Sequence, residues 1–137
     1  MFWLFGNKEN PIRLFPEIIN KLLNNKNVLI QNPKIGLDYT YVDDAAKMMA
    51  RIIFKNKESG VFNICSGNYV NLGEIANKIS IILKKQKFIK LKNSKVNTKI
   101  YGSIKRLKQY KYYIKSDFKS RLRTVSYTHL RAHETRH

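Results

Sequence analysis

The 137-residue chain is poor in acids, cysteine, glycine and proline. Its single Cys excludes a disulfide framework and fits a reducing, cytoplasmic setting. No apolar run approaches the ~20 residues of a membrane helix. Pro11 and Arg13 interrupt the opening stretch before the apolar region of a signal peptide can form. The 6 glycines never cluster into a Gly-rich turn. Only 9 Asp+Glu oppose 27 Lys+Arg, leaving a formal charge of +18. What remains is 43% hydrophobic and 12% aromatic, too apolar for a disordered tail. The length suits one domain whose core buries roughly two-thirds of the chain's surface. The charge raises nucleic acid as a partner, so its location matters.

That charge is segregated. Residues 1–83 hold 10 basic and 7 acidic side chains, whereas 84–124 hold 15 and 1. Residues 125–137 hold 2 and 1. The first block is an ordinary globular sequence, and the second carries nearly all the excess. Lys outnumbers Arg by 20 to 7, with 14 Asn and 16 Ile alongside. All three abundant residues have AT-rich codons, so genome composition can raise the Lys count without any anionic partner. Scattered Lys ordinarily marks a solvated face.

The first block alternates between two periodicities. Pro16 tolerates a first helical turn, and Ile18, Ile19, Leu22 and Leu23 follow at helical spacing, predicting a helix over 16–25. Val28–Ile30 reads as a short buried strand, and residues 38–42 alternate as another. Asp43 and Asp44 open a helix through Ala45, Ala46, Met48, Met49, Ile52 and Ile53. Glu58-Ser59-Gly60 reads as a turn and residues 61–65 as a strand. Asn71 and Glu74 have capping-box spacing ahead of the apolar face Ile75, Ile79, Ile82 and Leu83. Helices between short apolar strands predict an α/β sandwich.

Residues 36–46, Gly-Leu-Asp-Tyr-Thr-Tyr-Val-Asp-Asp-Ala-Ala, resemble the G-x-R-D-Y-x-Y-V-D-D-x-A segment of the extended short-chain dehydrogenase/reductase family. This is the NAD-dependent epimerase/dehydratase group that acts on nucleotide sugars. Residues 61–67, Val-Phe-Asn-Ile-Cys-Ser-Gly, are similar to its v-y-N-I-g-S-G. Phe5-Gly6-Asn7 with Arg13-Leu14-Phe15-Pro16 resembles its Y-G-P…R/K-L-x-P. Residues 104–108 resemble its late D-x-x-R-L-K helix more faintly. The first three keep the family's order and approximate spacing across residues 2–85.

The resemblance implies an α/β fold, specifically the C-terminal substrate-binding portion of an extended Rossmann-type dehydrogenase lacking its dinucleotide-binding half. The family's G-x-x-G-x-x-G turn brings a pyrophosphate to a helix N-terminus, and its Tyr-x-x-x-Lys pair does acid/base work. Neither occurs here: Tyr69 is followed by Gly73, and Tyr101 precedes Lys105 only in the basic block. Met1 is therefore expected to be an internal start. NAD or NADP is expected in the intact parent and not on this chain, which carries no catalytic, cofactor-binding or metal residue. An exposed apolar face is expected where the Rossmann domain belongs.

Carried over residue by residue, Arg13 matches a basic position near the nucleotide phosphate or sugar, where a guanidinium can grip a diphosphate. Asn63 matches an Asn that helps hold the nucleotide. Trp3 stands where many relatives place a substrate-contacting Asn, and Leu37 where they place a diphosphate-clamping Arg. These two departures fit a divergent branch, such as deoxysugar-forming reductases, better than UDP-galactose-type epimerisation. Arg13, Asn63 and Trp3 are thus the expected substrate-binding residues. The expected partner is a nucleotide-diphosphate sugar, with neither membrane nor specific nucleic acid. A homodimeric parent stays open.

Other features have plainer readings. Asp43 and Asp44 suit capping and the helix dipole. Cys65 ends an apolar strand without a His motif and reads as a core residue. Tyr110, Tyr112 and Tyr113 interleave with Lys108, Lys111 and Lys115, which would suit single-strand stacking; a basic nucleic-acid module over 84–123 is the competing function. His129, His133 and His137 recur at four, but residues 125–135 resemble translated sequencing adapter. The expected organisation is a partial substrate-binding domain over 1–124 and an artefactual, disordered tail over 125–137.

Overall fold

The computed structural model describes residues 2–55 and 59–136. The Met1 start, Glu58 of the expected turn and His137 lie outside the described residues. The chain runs β1 (Trp3–Phe5), α1 (Leu14–Leu23), β2 (Val28–Ile30), β3 (Gly36–Leu37), β4 (Tyr39–Tyr41) and α2 (Val42–Lys55). It continues through β5 (Val70–Asn71), α3 (Leu72–Leu83), a 3-10 turn (Gln86–Phe88), β6 (Ile89–Leu91), β7 (Lys99–Ile100), α4 (Lys105–Gln109) and α5 (Phe118–Arg136).

β1 and β4 pair in parallel, setting Trp3 beside Tyr39 and Phe5 beside Tyr41. β2 pairs in parallel with β6. β3 lies between antiparallel β5 and parallel β7. Alternation along β1 divides the core, because successive strand side chains point to opposite faces. Phe5 packs with Phe15, Ile18, Ile19 and Leu22 of α1, with Ile75 and Ile79 of α3, and with Leu122 and Val125 of α5. Leu4 turns the other way, onto Ala45, Met48, Ile64, Leu107 and Tyr112. The result is the expected α/β sandwich: α1, α3 and α5 on one side, α2 and α4 on the other.

α2 has two apolar faces. Ala45 and Met48 are buried, whereas Val42, Ala46, Met49, Ala50 and Ile53 form an exposed stripe at helical spacing. Ile53 is 69% exposed and the adjoining Phe54 84%. This is an exposed apolar face.

Several boundaries differ from the sequence expectation. α1 begins at Leu14, so Pro16 falls in its first turn, and it ends at Leu23 before Asn24. The segment 61–65 is extended but joins no ladder. Phe2, just before β1, donates its N–H to Ile64 O at 3.4 Å. The capping box at α3 does not form: Asn71 caps with backbone alone, and its side-chain oxygen accepts from Lys99 Nζ at 2.6 Å. The expected disorder after residue 124 does not describe residues 125–136. They continue α5, because Leu122, Val125 and Ser126 lie on one buried helix face and no Gly or Pro interrupts the run.

Candidate functional site

Two of the three expected site residues meet. Trp3 projects from β1 beside Tyr39 of β4, with ring centroids 6.4 Å apart. The loop after β1 brings Glu9 and Ile12 round to the start of α1, where Arg13 is the N-cap and Leu14 the first helical residue. These six side chains line one recess of about 260 Å³. Asn63 is not among them. It sits on the extended 61–65 segment, where its Nδ2 donates to Ser103 O at 3.4 Å. A larger cleft of about 720 Å³ lies between the 7–11 loop, α1 and α5, but His129, His133 and Arg136 of the adapter-like run form part of its wall.

The recess holds a guanidinium, a carboxylate and a phenol. Arg13 Nε lies 3.6 Å from Glu9 Oε1, with the Arg side chain half exposed and Glu9 12% exposed. Burial raises the Glu9 carboxyl above its ordinary range, and Arg13 opposes that rise. Glu9 Oε2 is enclosed without a well-formed hydrogen bond. Burial also pushes Tyr39 up to about 12, with Arg13 pulling down and Glu9 pushing up. Tyr39 therefore favours folding while neutral: that contribution is complete below pH ~10, the ordinary phenol value, and is lost as pH rises towards 12. Wild type should lose about 2–3 kcal/mol more stability between pH 9 and 12 than Tyr39→Phe. Urea unfolding at both pH values checks this, and equal losses would contradict it. Glu9 and Tyr39 were not singled out from sequence. The available signal was the opposite-charge spacing of four between Glu9 and Arg13.

The segments around the recess are fixed by buried charges. Asp38 is fully buried just before β4. Its Oδ1 accepts from Ser66 N at 2.9 Å and Ser66 Oγ at 2.6 Å, and its Oδ2 from Gly67 N at 2.9 Å and Gly102 N at 3.2 Å. Gly67 has φ +83°, a left-handed conformation that disfavours any residue with a Cβ. Tyr113 Oη adds a bond to Ser66 O at 2.7 Å. Asp44, also fully buried, takes Arg121 Nη2 at 2.8 Å and Nε at 3.2 Å. Its role is structural, as expected for this pair, but through an ion pair across the fold rather than a cap. Cys65 is buried, and burial pushes its thiol up to about 11, so it is inert near neutral pH.

The Tyr/Lys stretch does not form the stacking surface that the competing function requires. Tyr112 is buried, Tyr110 stacks against it at 6.0 Å, and Phe62 closes on both. Arg106 covers Phe62 at 4.4 Å and donates to Val61 O and Ser59 O. These rings serve the second core. Among the described residues, no helix is long and apolar enough to cross a membrane.

The glycines nearest helix starts, Gly73 and Gly102, are filled by the protein: an added Cβ would lie 2.8 Å from Pro33 Cβ and 2.5 Å from Cys65 Sγ. Neither leaves backbone free to approach a pyrophosphate.

The fold is that of the C-terminal portion of extended Rossmann-type dehydrogenases, and its structural neighbours are NAD-dependent epimerase/dehydratase family members, matching the resemblance in sequence. The dTDP-glucose 4,6-dehydratase of Bacillus anthracis, solved with NAD, superposes with TM-score 0.83 at 18% identity. The match covers 97% of this chain and 44% of that one. The UDP-glucose 4-epimerase of Thermotoga maritima, solved with UDP-glucose, gives TM-score 0.81 at 17% identity, over 96% of this chain and 44% of that one. In sequence, dTDP-D-glucose 4,6-dehydratase of Dictyostelium discoideum is 32% identical over 77 residues, which is 56% of this chain and 18% of that protein. No protein-family model matches the chain. It thus spans under a fifth of the curated relative and under half of the solved structures.

Proposed function

We propose that residues 1–124 are the substrate-binding part of an NAD(P)-dependent nucleotide-sugar epimerase, dehydratase or reductase, and that this chain binds the nucleotide sugar without turning it over. The observation that carries the reading is the meeting of Trp3 and Arg13, 10 residues apart, in one recess. The exposed stripe of α2 supports a further layer packed on that side, which the dinucleotide-binding half would supply. In the parent, hydride would pass between nicotinamide and sugar on that other half. Asn63 contributes to the nucleotide from the neighbouring segment. The run from 125 onward is an appended translation of adapter, despite its helical form. A cytoplasmic, homodimeric parent completes the reading.

The source gene upstream of Met1 tests this directly. A Gly-rich turn followed by a Tyr-x-x-x-Lys pair is expected in frame, and their absence would sink the reading. On the 137-residue chain, Arg13→Ala should weaken UDP-glucose binding about tenfold in ligand-observed NMR, the scale of one charged hydrogen bond. Binding unchanged by that substitution would remove Arg13 from the site.

A further inference from the structure

We infer that the outer face of the β2–β6 ladder binds the phosphate backbone of nucleic acid without reading its sequence. This surface is separate from the recess at Trp3 and Arg13, and it makes no use of Tyr110, Tyr112 and Tyr113. Residues 84–99 hold 7 Lys and no acid. The acids that flank them in sequence are Glu74, which pairs with Lys78 on α3, and Asp117, 18 residues further on.

The ladder has one covered face and one open face. β2 and β6 both pack on α3, and Val28 and Ile30 are buried there. Leu29, between them, points the other way and is 54% exposed. The parallel register sets Lys90 beside Leu29. Lys92 N donates to Ile30 O at 3.0 Å, which carries the ladder one residue further. Alternation then places Lys92 on the same outer face as Lys90. Ser94 Oγ donates to Asn32 Oδ1 at 2.8 Å and holds the next loop, with Lys95, at the end of the ladder. Lys90, Lys92 and Lys95 are all exposed. The ion pairs among the described residues lie elsewhere, on Arg13, Lys21, Lys78 and Arg121. The ladder therefore presents positive charge that no carboxylate neutralises.

The chemistry of this face fits phosphates. Ammonium groups act as point charges, which hold phosphates without the planar geometry that Arg imposes. A protein partner gains most of its affinity from side chains that fill pockets. Both recesses described above lie against α1 instead. Stacking on bases needs exposed rings, and the single ring in this stretch, Phe88, packs on the core with Lys87 Nζ 5.1 Å over it. What remains is contact with the repeating charge of the backbone, which carries no sequence information.

Fluorescence anisotropy of the 137-residue chain with a labelled DNA duplex, titrated at several NaCl concentrations, tests the assignment. The triple variant Lys90→Gln/Lys92→Gln/Lys95→Gln should bind at least about tenfold more weakly at ~0.1 M salt. It should also make the slope of log affinity against log salt shallower by about 2–3, as expected for three lost phosphate contacts. The control Lys105→Gln/Lys111→Gln/Lys115→Gln removes the same charge from the later Tyr/Lys stretch and should change binding less than about threefold. Scrambling the duplex sequence should leave the affinity of the wild type unchanged. Equal weakening by the two triple variants would assign binding to net charge and overturn the role of the ladder face. A sequence-dependent affinity would overturn backbone recognition. Poly-glutamate displacing the labelled duplex better than unlabelled duplex does would give the face to an acidic protein chain, and overturn the nucleic-acid assignment. No binding at ~0.05 M salt would overturn it as well.

Discussion

Asp38→Ala is expected to be the most damaging single substitution in the chain. The carboxylate joins the start of β4 to the 66–67 turn and to Gly102, and it accepts four hydrogen bonds, two at each oxygen. Removing it leaves three backbone N–H groups without this acceptor, that of Gly102 buried and those of Ser66 and Gly67 part-buried, while the Ser66 hydroxyl keeps Asn68 O at 3.0 Å. Each buried donor left unpaired costs about 1–3 kcal/mol. The sum, about 4 kcal/mol or more, is comparable to the whole stability of a small domain. Asp38→Asn separates charge from geometry: its one remaining carbonyl oxygen can serve one pair of donors, so about half the loss is expected. Urea midpoints by circular dichroism should rank wild type, Asn and Ala in that order. An Asn variant within ~0.5 kcal/mol of wild type would mean the four short contacts carry little.

Arg121→Ala comes second. Asp44 is fully buried and Arg121 forks onto both its oxygens while covering the Tyr41 ring, with Cζ 4.7 Å from the centroid. Removing the Arg leaves the buried Asp44 carboxylate uncompensated; because the Arg121 side chain is 34% exposed and water can enter behind it, the cost falls towards the lower end of the about 3–5 kcal/mol of a fully buried pair. Most of that cost belongs to the stranded carboxylate rather than to the lost attraction. The double variant Asp44→Ala/Arg121→Ala should therefore recover at least ~1 kcal/mol over Arg121→Ala alone. Thermal unfolding of the three variants checks the order, and a double variant worse than the single would refute it. Arg121→Lys should fall between, since one ammonium cannot match the planar fork.

Neither of these ties was legible in the sequence, and the reason is distance along the chain. Asp38 meets donors 28 to 64 residues away, and Asp44 meets Arg121 77 away. What was legible is local. The alternation and paired acids of 38–46 give β4 and the start of α2, and the apolar spacing after Pro16 gives α1. The segment 61–65 shows the limit of pattern: alternation predicts an extended backbone but not a partner for it. Residues 125–136 show the converse, since a run without apolar period can continue a helix when its first residues, Val125 and Ser126, join Leu122 on one buried face. In the site, Trp3 and Arg13 came from motif position. Glu9 did not, because a charged loop residue reads as solvated until β1, β4 and α1 close round it.

The sheet registers carry a kinetic consequence. Among the described residues no ladder is a hairpin: the paired positions are 36 residues apart in β1–β4, 61 in β2–β6, 33 and 35 in β3–β5 and 63 in β3–β7. Every strand must wait for a distant partner, and loop-closure entropy precedes any reward from pairing. During synthesis the first ladder cannot form before Tyr41 emerges, nor the last before Ile100. Through that interval the strand edges stand open, and the Lys-rich stretch that completes two of the three sheets arrives last. The edges of β2 and β3 that meet β6 and β7 are thus the last to be covered, and a partly made chain can pair with another along them.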